Sequence, residues 1–247
     1  MKILIAGNQR RDVYCKYLLE DMGFEVSAQG PWDTVVLPLP KGDIRKEWIP
    51  FMRKGQTVVC GMTDPALEKT AKENGWQMHR ALEDEEFTLQ NARLTAEGAL
   101  FTAAYRLDSA LFGLPCLVVG YGRIGRALTE RLRALGARVT VAARRQESLD
   151  AAGGGVLLRE IGKELPGMRL VFNTVPAPVI GKKELDAVRP GALLMELASA
   201  PYGIDLEAAK GMGLNCTLES GVPGKYCPRS AAEALIEYMK REGILYA

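Results

Sequence analysis

Histidine, net charge, paired cysteines and long apolar runs are what this chain lacks, and each absence removes a class of function. Among 247 residues the only histidine is His79. A single imidazole removes most histidine-based metal sites and makes any Ser/His/Asp triad depend on one position. The 32 basic residues nearly cancel the 30 acidic ones, leaving a net charge of +2. With no long basic run, nothing in the electrostatics favours a nucleic-acid partner. No stretch approaches the roughly 20 apolar residues that a membrane span needs. The apolar start Met1–Ala6 is too short for a signal peptide. Cys15, Cys60, Cys116, Cys216 and Cys227 are scattered, with no C-x-x-C spacing. An odd, dispersed set of this kind reads as reduced thiols in a cytoplasmic protein.

What is present is an ordinary globular composition, 47% hydrophobic and 25% charged, arranged as alternating strand and helix patterns. Lys2–Ala6 is an apolar run closed by Gly7. A helical pattern follows from about Arg10 to Met22, with Gly23 at its C′ position. Phe24–Ser27, Asp33–Leu37 and Gln56–Cys60 read as short strands. Asp64-Pro65 offers an N-cap and a first-turn proline for a helix ending near Gly75. This alternation predicts a small parallel sheet with helices on its faces. From about Asn91 to Phe112, Leu94, Phe101, Ala104, Tyr105 and Leu111 fall near one helical face, as a helix connecting two domains. A second series then opens with a strand at Cys116–Val119, and further strands are expected at Arg138–Ala142, Leu170–Val175, Ala192–Leu197 and Leu214–Leu218. Ser230-Ala-Ala-Glu233 reads as a capping box that starts the last helix.

Gly120-Tyr-Gly-Arg-Ile-Gly125 is a G-x-G-x-x-G fingerprint in its required setting, after a strand and before a helix. Gly120 allows the tight turn, Gly122 lets backbone approach a pyrophosphate, and Gly125 lets helix and sheet pack closely. The N–H groups of the helix start, at Arg123 and Ile124, face the phosphates. An NAD-binding chain usually carries an acid about 20 residues on, at the end of the second strand. Here that position reads Val141-Ala-Ala-Arg144-Arg145. Two guanidiniums suit a 2′-phosphate, so NADP is favoured over NAD; the alternative is that both are solvated loop charges. Asn173-Thr174-Val175-Pro176 and Leu197-Ala-Ser199 close later strands on the same edge, where a nicotinamide ribose would lie.

Several segments together resemble the oxidoreductase subunit of the dipicolinate synthase family. They are Asp33-Thr-Val-Val-Leu-Pro-Leu-Pro40, Asn91-Ala-Arg-Leu-Thr-Ala-Glu97-Gly98, the glycine fingerprint, Asn173-Thr-Val-Pro176, Leu197-Ala-Ser-Ala-Pro-Tyr-Gly-Ile-Asp205, and Gly221-Val-Pro-Gly-Lys225 with Cys227-Pro-Arg229-Ser230. The resemblance implies an α/β protein: a smaller flavodoxin-like domain over 1–90, a linking helix over 91–112, and a Rossmann NAD(P)-binding domain over 113–228. A last helix over 229–247 would pack back toward the first domain. It also implies a sporulation oxidoreductase that works with a flavoprotein-like second subunit. The reaction implied is oxidation of a dihydrodipicolinate-level precursor to pyridine-2,6-dicarboxylate. The chain differs from the expected pattern in a shorter N-terminal domain and in Ala200, where a basic residue is expected.

A dicarboxylate substrate needs cationic partners. Lys225 and Arg229 are the candidates, after the last strand and at a helix start, with plain surface charge as the alternative. Asn91, Thr95 and Glu97 are candidates on the linking helix, or ordinary helix-start residues. Glu219 and Tyr226 are weaker candidates as proton acceptors. His79, following Trp76-Gln-Met in the first half of the chain, is badly placed to act as the acid–base of an alcohol dehydrogenase. No metal is expected, and homo-oligomerisation is left open. Two other readings remain: an NADP oxidoreductase of another small carboxylate, or a non-catalytic NADP-binding regulatory subunit.

Overall fold

Ile3, Leu4 and Ile5 are buried in β1 (Lys2–Ile5), the continuous apolar run expected of a parallel strand covered on both faces. The computed structural model describes every residue except Lys41, Asp43 and Ala247. After β1 come α1 (Arg10–Asp21), β2 (Glu25–Val26), β3 (Thr34–Val36), β4 (Thr57–Cys60), α2 (Pro65–Asn74) and β5 (Gln77–Arg80). The five strands are parallel, in the order β2-β1-β3-β4-β5. That is the flavodoxin-like doubly wound order. Asp64 caps α2 by accepting the Leu67 N–H at 2.9 Å, and Gly75 ends the helix at φ +64°. The sequence reading places His79 near a strand end but gives that strand no bounds; it is β5. Its sequence, Gln-Met-His-Arg, lacks the apolar run of a central strand because it lies at the sheet edge.

α3 (Glu85–Leu107) is the helix expected over 91–112, and both its ends lie earlier in the chain than that. Asp84 Oδ1 accepts the Phe87 N–H at 2.7 Å, which starts the helix. Asp108, at φ +46°, cannot continue it.

β6 (Pro115–Val119), α4 (Arg123–Ala134), β7 (Arg138–Ala143), α5 (Gln146–Ala151), β8 (Val156–Leu157), β9 (Leu170–Asn173), α6 (Lys182–Leu185), β10 (Leu193–Glu196), α7 (Leu206–Gly211) and β11 (Asn215–Leu218) follow. The second sheet is also parallel, ordered β11-β10-β9-β6-β7-β8. In chain order this is the 3-2-1-4-5-6 arrangement of a Rossmann domain, as expected. β8 was missed because its two residues carry no periodicity after Gly153-Gly154-Gly155.

α8 (Val222–Tyr226) and α9 (Pro228–Arg241) close the chain. α9 begins before Ser230, so the expected capping box is not its start. Pro228 occupies the first turn, where a missing N–H costs nothing. The chain divides into two units, Met1–Leu94 with Pro223–Ala247, and Thr95–Val222. α9 is therefore part of the first unit, where Leu235, Ile236 and Met239 pack with Cys15 and Leu19 of α1 and with Ile3 and Ile5 of β1.

Leu235 is fully enclosed in that cluster, so Leu235→Ala should cost about 2–5 kcal/mol through lost burial and a residual cavity. A urea titration reads this as a lower unfolding midpoint. An unchanged midpoint would mean that α9 contributes little to holding the first unit together.

Candidate functional site

In the second sheet β6 and β9 are neighbours, and the strand order reverses there. A crevice at the carboxyl ends of such a pair is the usual ligand position in open α/β sheets. The glycine loop leaves β6 at this point. Gly120 sits at φ +98°, and a Cβ there would overlap Thr174 Oγ1. Thr174 needs that space because its hydroxyl donates to Val119 O at 2.9 Å, tying the end of β9 to the end of β6. A Cβ on Gly125 would overlap the Gly120 carbonyl oxygen, so this glycine is required by the fold itself. Gly122 differs: a Cβ there would meet no protein atom within 4 Å. Its freedom is not needed for packing, and the open space lies over the start of α4. The N-cap Gly122 has no side chain to cap α4.

A cavity of about 270 Å³ occupies this place. Gly120, Tyr121 and Gly122 line it from β6, Ala142, Ala143, Arg144 and Arg145 from β7, and Thr174, Val175 and Pro176 from β9. The structure thus brings together the glycine loop, the paired arginines and the Thr-Val-Pro turn, which lie far apart in sequence. Tyr121, Ser148 and Leu158 also line it and were not anticipated. Tyr121 is placed by its hydroxyl, which donates to Ala151 O at 3.1 Å, and by Arg126, whose guanidinium lies 5.3 Å from the ring centroid. Both arginines at the second strand end are exposed. The glycine loop, the uncapped helix start and the open space over Gly122 fit a dinucleotide.

The loops beside the cavity are held by a carboxylate that the sequence reading passed over. Glu196, at the end of β10, has no exposure to solvent. Its oxygens accept from Asn173 Nδ2 at 2.8 and 2.9 Å, and from the N–H groups of Ala198 at 2.8 Å, Gly203 at 2.9 Å and Ile204 at 2.8 Å. Asn173 also donates to Val175 O at 3.0 Å and accepts the Val175 N–H at 3.2 Å. The only hint in the sequence was a charged residue inside the apolar run Ala192–Ala198.

The D-isomer specific 2-hydroxyacid dehydrogenase NAD binding domain matches residues 77–203, just over half of the chain. The chain belongs to this family. The cofactor class of that domain is a nicotinamide dinucleotide. A dipicolinate synthase subunit from Bacillus subtilis (strain 168) is 26% identical over 188 residues, which are 74% of this chain and 63% of that protein's length. The crystal structure of the corresponding dipicolinate synthase subunit from Bacillus halodurans superposes with a TM-score of 0.85 at 22% identity, covering 98% of this chain and 97% of that one. A transhydrogenase from Sinorhizobium meliloti superposes at 0.72 with 18% identity, over 98% and 94% of the two chains. The resemblance read from the sequence segments is therefore borne out.

Other residues singled out in the sequence do not line this cavity. Ser199 is exposed in the loop after β10 and does not line it. Glu97, on α3, is 3.2 Å from Arg131 of α4. Arg229 is paired with Glu233 one turn along α9, at 3.0 Å. Lys225 is exposed on α8, and its carbonyl accepts from Arg10 Nη1 at 2.9 Å. His79 lies in β5 of the first unit, 3.7 Å from Glu242. Burial pushes the Cys116 thiol up to about 12 and, with a smaller contribution from Glu196, the Cys216 thiol up to about 11. Neither supplies a thiolate at neutral pH. Among the described residues, no group of three or more His, Cys, Asp or Glu side chains could hold a metal ion, and no helix is long and apolar enough to cross a membrane.

Glu196→Gln keeps the shape but turns an N–H donor toward backbone N–H groups. The expected cost is about 2–4 kcal/mol, from a buried donor facing donors. Denaturant unfolding should show it as a lower midpoint, whereas a wild-type midpoint would mean that the loop is held by other contacts.

Proposed function

We propose that this chain is an NADP-dependent oxidoreductase of the dipicolinate synthase type. It oxidises a dihydrodipicolinate-level precursor to pyridine-2,6-dicarboxylate in the cytoplasm of a sporulating cell, and its partner is a flavoprotein-like second subunit. The observation that carries the cofactor choice is the pair Arg144 and Arg145 at the wall of the cavity, where an NAD-binding chain would place an acid. The substrate rests on the likeness to the Bacillus subtilis protein.

When bound, the dinucleotide supplies a hydride acceptor. The chain's own residues bind and orient. Gly122 would leave the pyrophosphate its space, the N–H groups of Arg123 and Ile124 would donate to phosphate oxygens, and the two guanidiniums would hold a 2′-phosphate. Thr174, Val175 and Pro176, which line the cavity, would flank the nicotinamide ribose. Aromatisation of the ring releases one hydrogen as hydride and one as a proton to water. The product's aromatic stability favours this step, so positioning matters more than a strong base. That agrees with a second unit that contains no histidine.

Two outcomes are expected on the cofactor side. Gly122→Ala should leave thermal stability unchanged, since no atom is displaced, yet weaken dinucleotide binding by about 10-fold or more through collision with the pyrophosphate. Equal affinity in both proteins would place the pyrophosphate elsewhere. Calorimetry should also find NADP bound about 10-fold or more tightly than NAD, with Arg144→Asp reversing the order. Equal affinities in the unmutated protein would overturn the choice of NADP. The reaction is tested by mixing the protein, NADP⁺ and dihydrodipicolinate, with and without a second subunit. Tight NADP binding without turnover in either mixture would favour a regulatory role.

A further inference from the structure

We infer that the first unit carries an oxyanion site of its own, in which Arg11, supported by Arg10 and Lys225, binds a carboxylate of the substrate. The identity of that carboxylate as substrate rests on the function proposed above; the site itself rests on the geometry of the first unit.

The first sheet has its own switch point. Its order is β2-β1-β3-β4-β5, so successive connections leave β1 and β3 in opposite directions, and the usual ligand position of such a sheet is at the carboxyl ends of these two strands. Arg11 spans that position. It lies in the first turn of α1, which follows β1, and its Nη2 donates to the carbonyl of Leu39, beyond β3, at 2.9 Å. The side chain is buried, with only 5% of the residue exposed.

Its hydrogen bonding is incomplete. A guanidinium has five N–H donors in a planar fork, and among the described residues Arg11 donates one hydrogen bond of good geometry, to Leu39 O. Nε is buried with no acceptor. Asp12 does not complete it: Oδ1 is 3.8 Å from Nε, and Oδ2 accepts the Gln9 N–H at 3.0 Å. Burial is the largest influence on Arg11 and lowers its pKa, while the neighbouring Asp12 acts the other way through its charge and a side-chain hydrogen bond. A carboxylate is the planar, two-oxygen acceptor that matches an open edge of such a fork.

The surroundings have the same sign. Arg10 Nη1 donates to Lys225 O at 2.9 Å, which holds α8 against the start of α1. A Cβ on Gly224 would lie 3.8 Å from Gln9 Oε1 and 3.9 Å from Arg11 Cβ, so the α8 backbone borders Arg11 directly. Arg10, Arg11 and Lys225 are thus brought together around the start of α1, where Asp12 is the carboxylate nearest to Arg11 Nε among the described residues. The N-terminus of the 12-residue helix α1 adds partial positive charge. Arg229 belongs less to this cluster because Glu233 already engages it.

The test uses the full chain without dinucleotide, with pyridine-2,6-dicarboxylate and malonate as calorimetric probes. Arg11→Met should weaken binding of the pyridine dicarboxylate by about 10- to 100-fold, the loss of a charge-assisted pair. Arg11→Lys should recover part of that loss, and NADP affinity should stay as in the wild type. The melting temperature of Arg11→Met should hold or rise, since a methionine needs no buried acceptor. A merely structural Arg11 would give the reverse, a lower melting temperature with unchanged carboxylate affinity, and would overturn the proposal. If Arg11→Met does not fold, exposed Arg10→Met provides the second reading: a several-fold weaker carboxylate affinity supports the site, and wild-type affinity overturns it. Failure of the wild type to bind either probe also overturns it. Carboxylate binding through Arg11 without precursor oxidation would leave the site standing and remove the dehydrogenase reading. Oxidation with an unchanged KM in Arg11→Met would do the opposite.

Discussion

A carboxylate taken wholly out of water loses hydration that only several well-aimed donors can replace, and in this chain Glu196 is the group so placed. It stands opposite Asn173 in the pairing of β10 with β9. Two features of the second unit follow from that pairing. The loop from Ala198 to Ile204 is pinned back on the sheet by three backbone N–H groups directed at the carboxylate. Asn173 is held in one orientation, and through it Val175 is fixed at both its N–H and its carbonyl. Thr174, between them, then reaches Val119 and joins β9 to β6. The Thr174–Pro176 wall of the cavity therefore hangs from a side chain that never touches it. Gly203 is part of the same arrangement, because a Cβ there would overlap the Asn173 amide.

The two sheets solve one problem twice. Each is parallel and open, and each reverses its strand order once, so each has a switch point at the carboxyl ends of two neighbouring strands. In the second unit glycines occupy that point and leave room for a ligand backed by N–H groups. In the first unit an arginine crosses it from α1 to the residue beyond β3. The difference suits the proposed ligands. A pyrophosphate is long and needs close backbone approach, whereas a carboxylate is compact and is met by one fork of donors.

How much could be read beforehand depended on whether a residue's task was local. The glycine fingerprint was legible because a tight turn and a helix start lie within six consecutive positions. The Asp64 cap and the apolar runs of β1, β4 and β6 were legible for the same reason. The bounds of β5, of which only an end near His79 was read, and the two-residue β8 were not, since an edge position and a neighbour across the sheet hold them in place and neither leaves a pattern in sequence. The start of α9 was misplaced because Ser230-Ala-Ala-Glu233 is a plausible box, while Pro228 two residues earlier already suits the first turn. Glu196 and Arg11 were passed over as charges within ordinary elements. What makes them unusual is their burial, and burial is set by parts of the chain distant in sequence.

Set side by side, those two buried charges also show how scaffold and site differ. Glu196 has donors on both oxygens, all supplied by its own chain, so nothing from outside could bind it without breaking an existing bond. Arg11 is buried to a similar degree but has an Nε with no acceptor and a carboxylate too far away to serve as one. Burying a charge is tolerable when partners are complete. A chain that completes one of its buried charges and leaves another short has fixed the first as framework. The second is left in a state that an anionic ligand relieves, and on the function proposed here that ligand is the substrate's carboxylate.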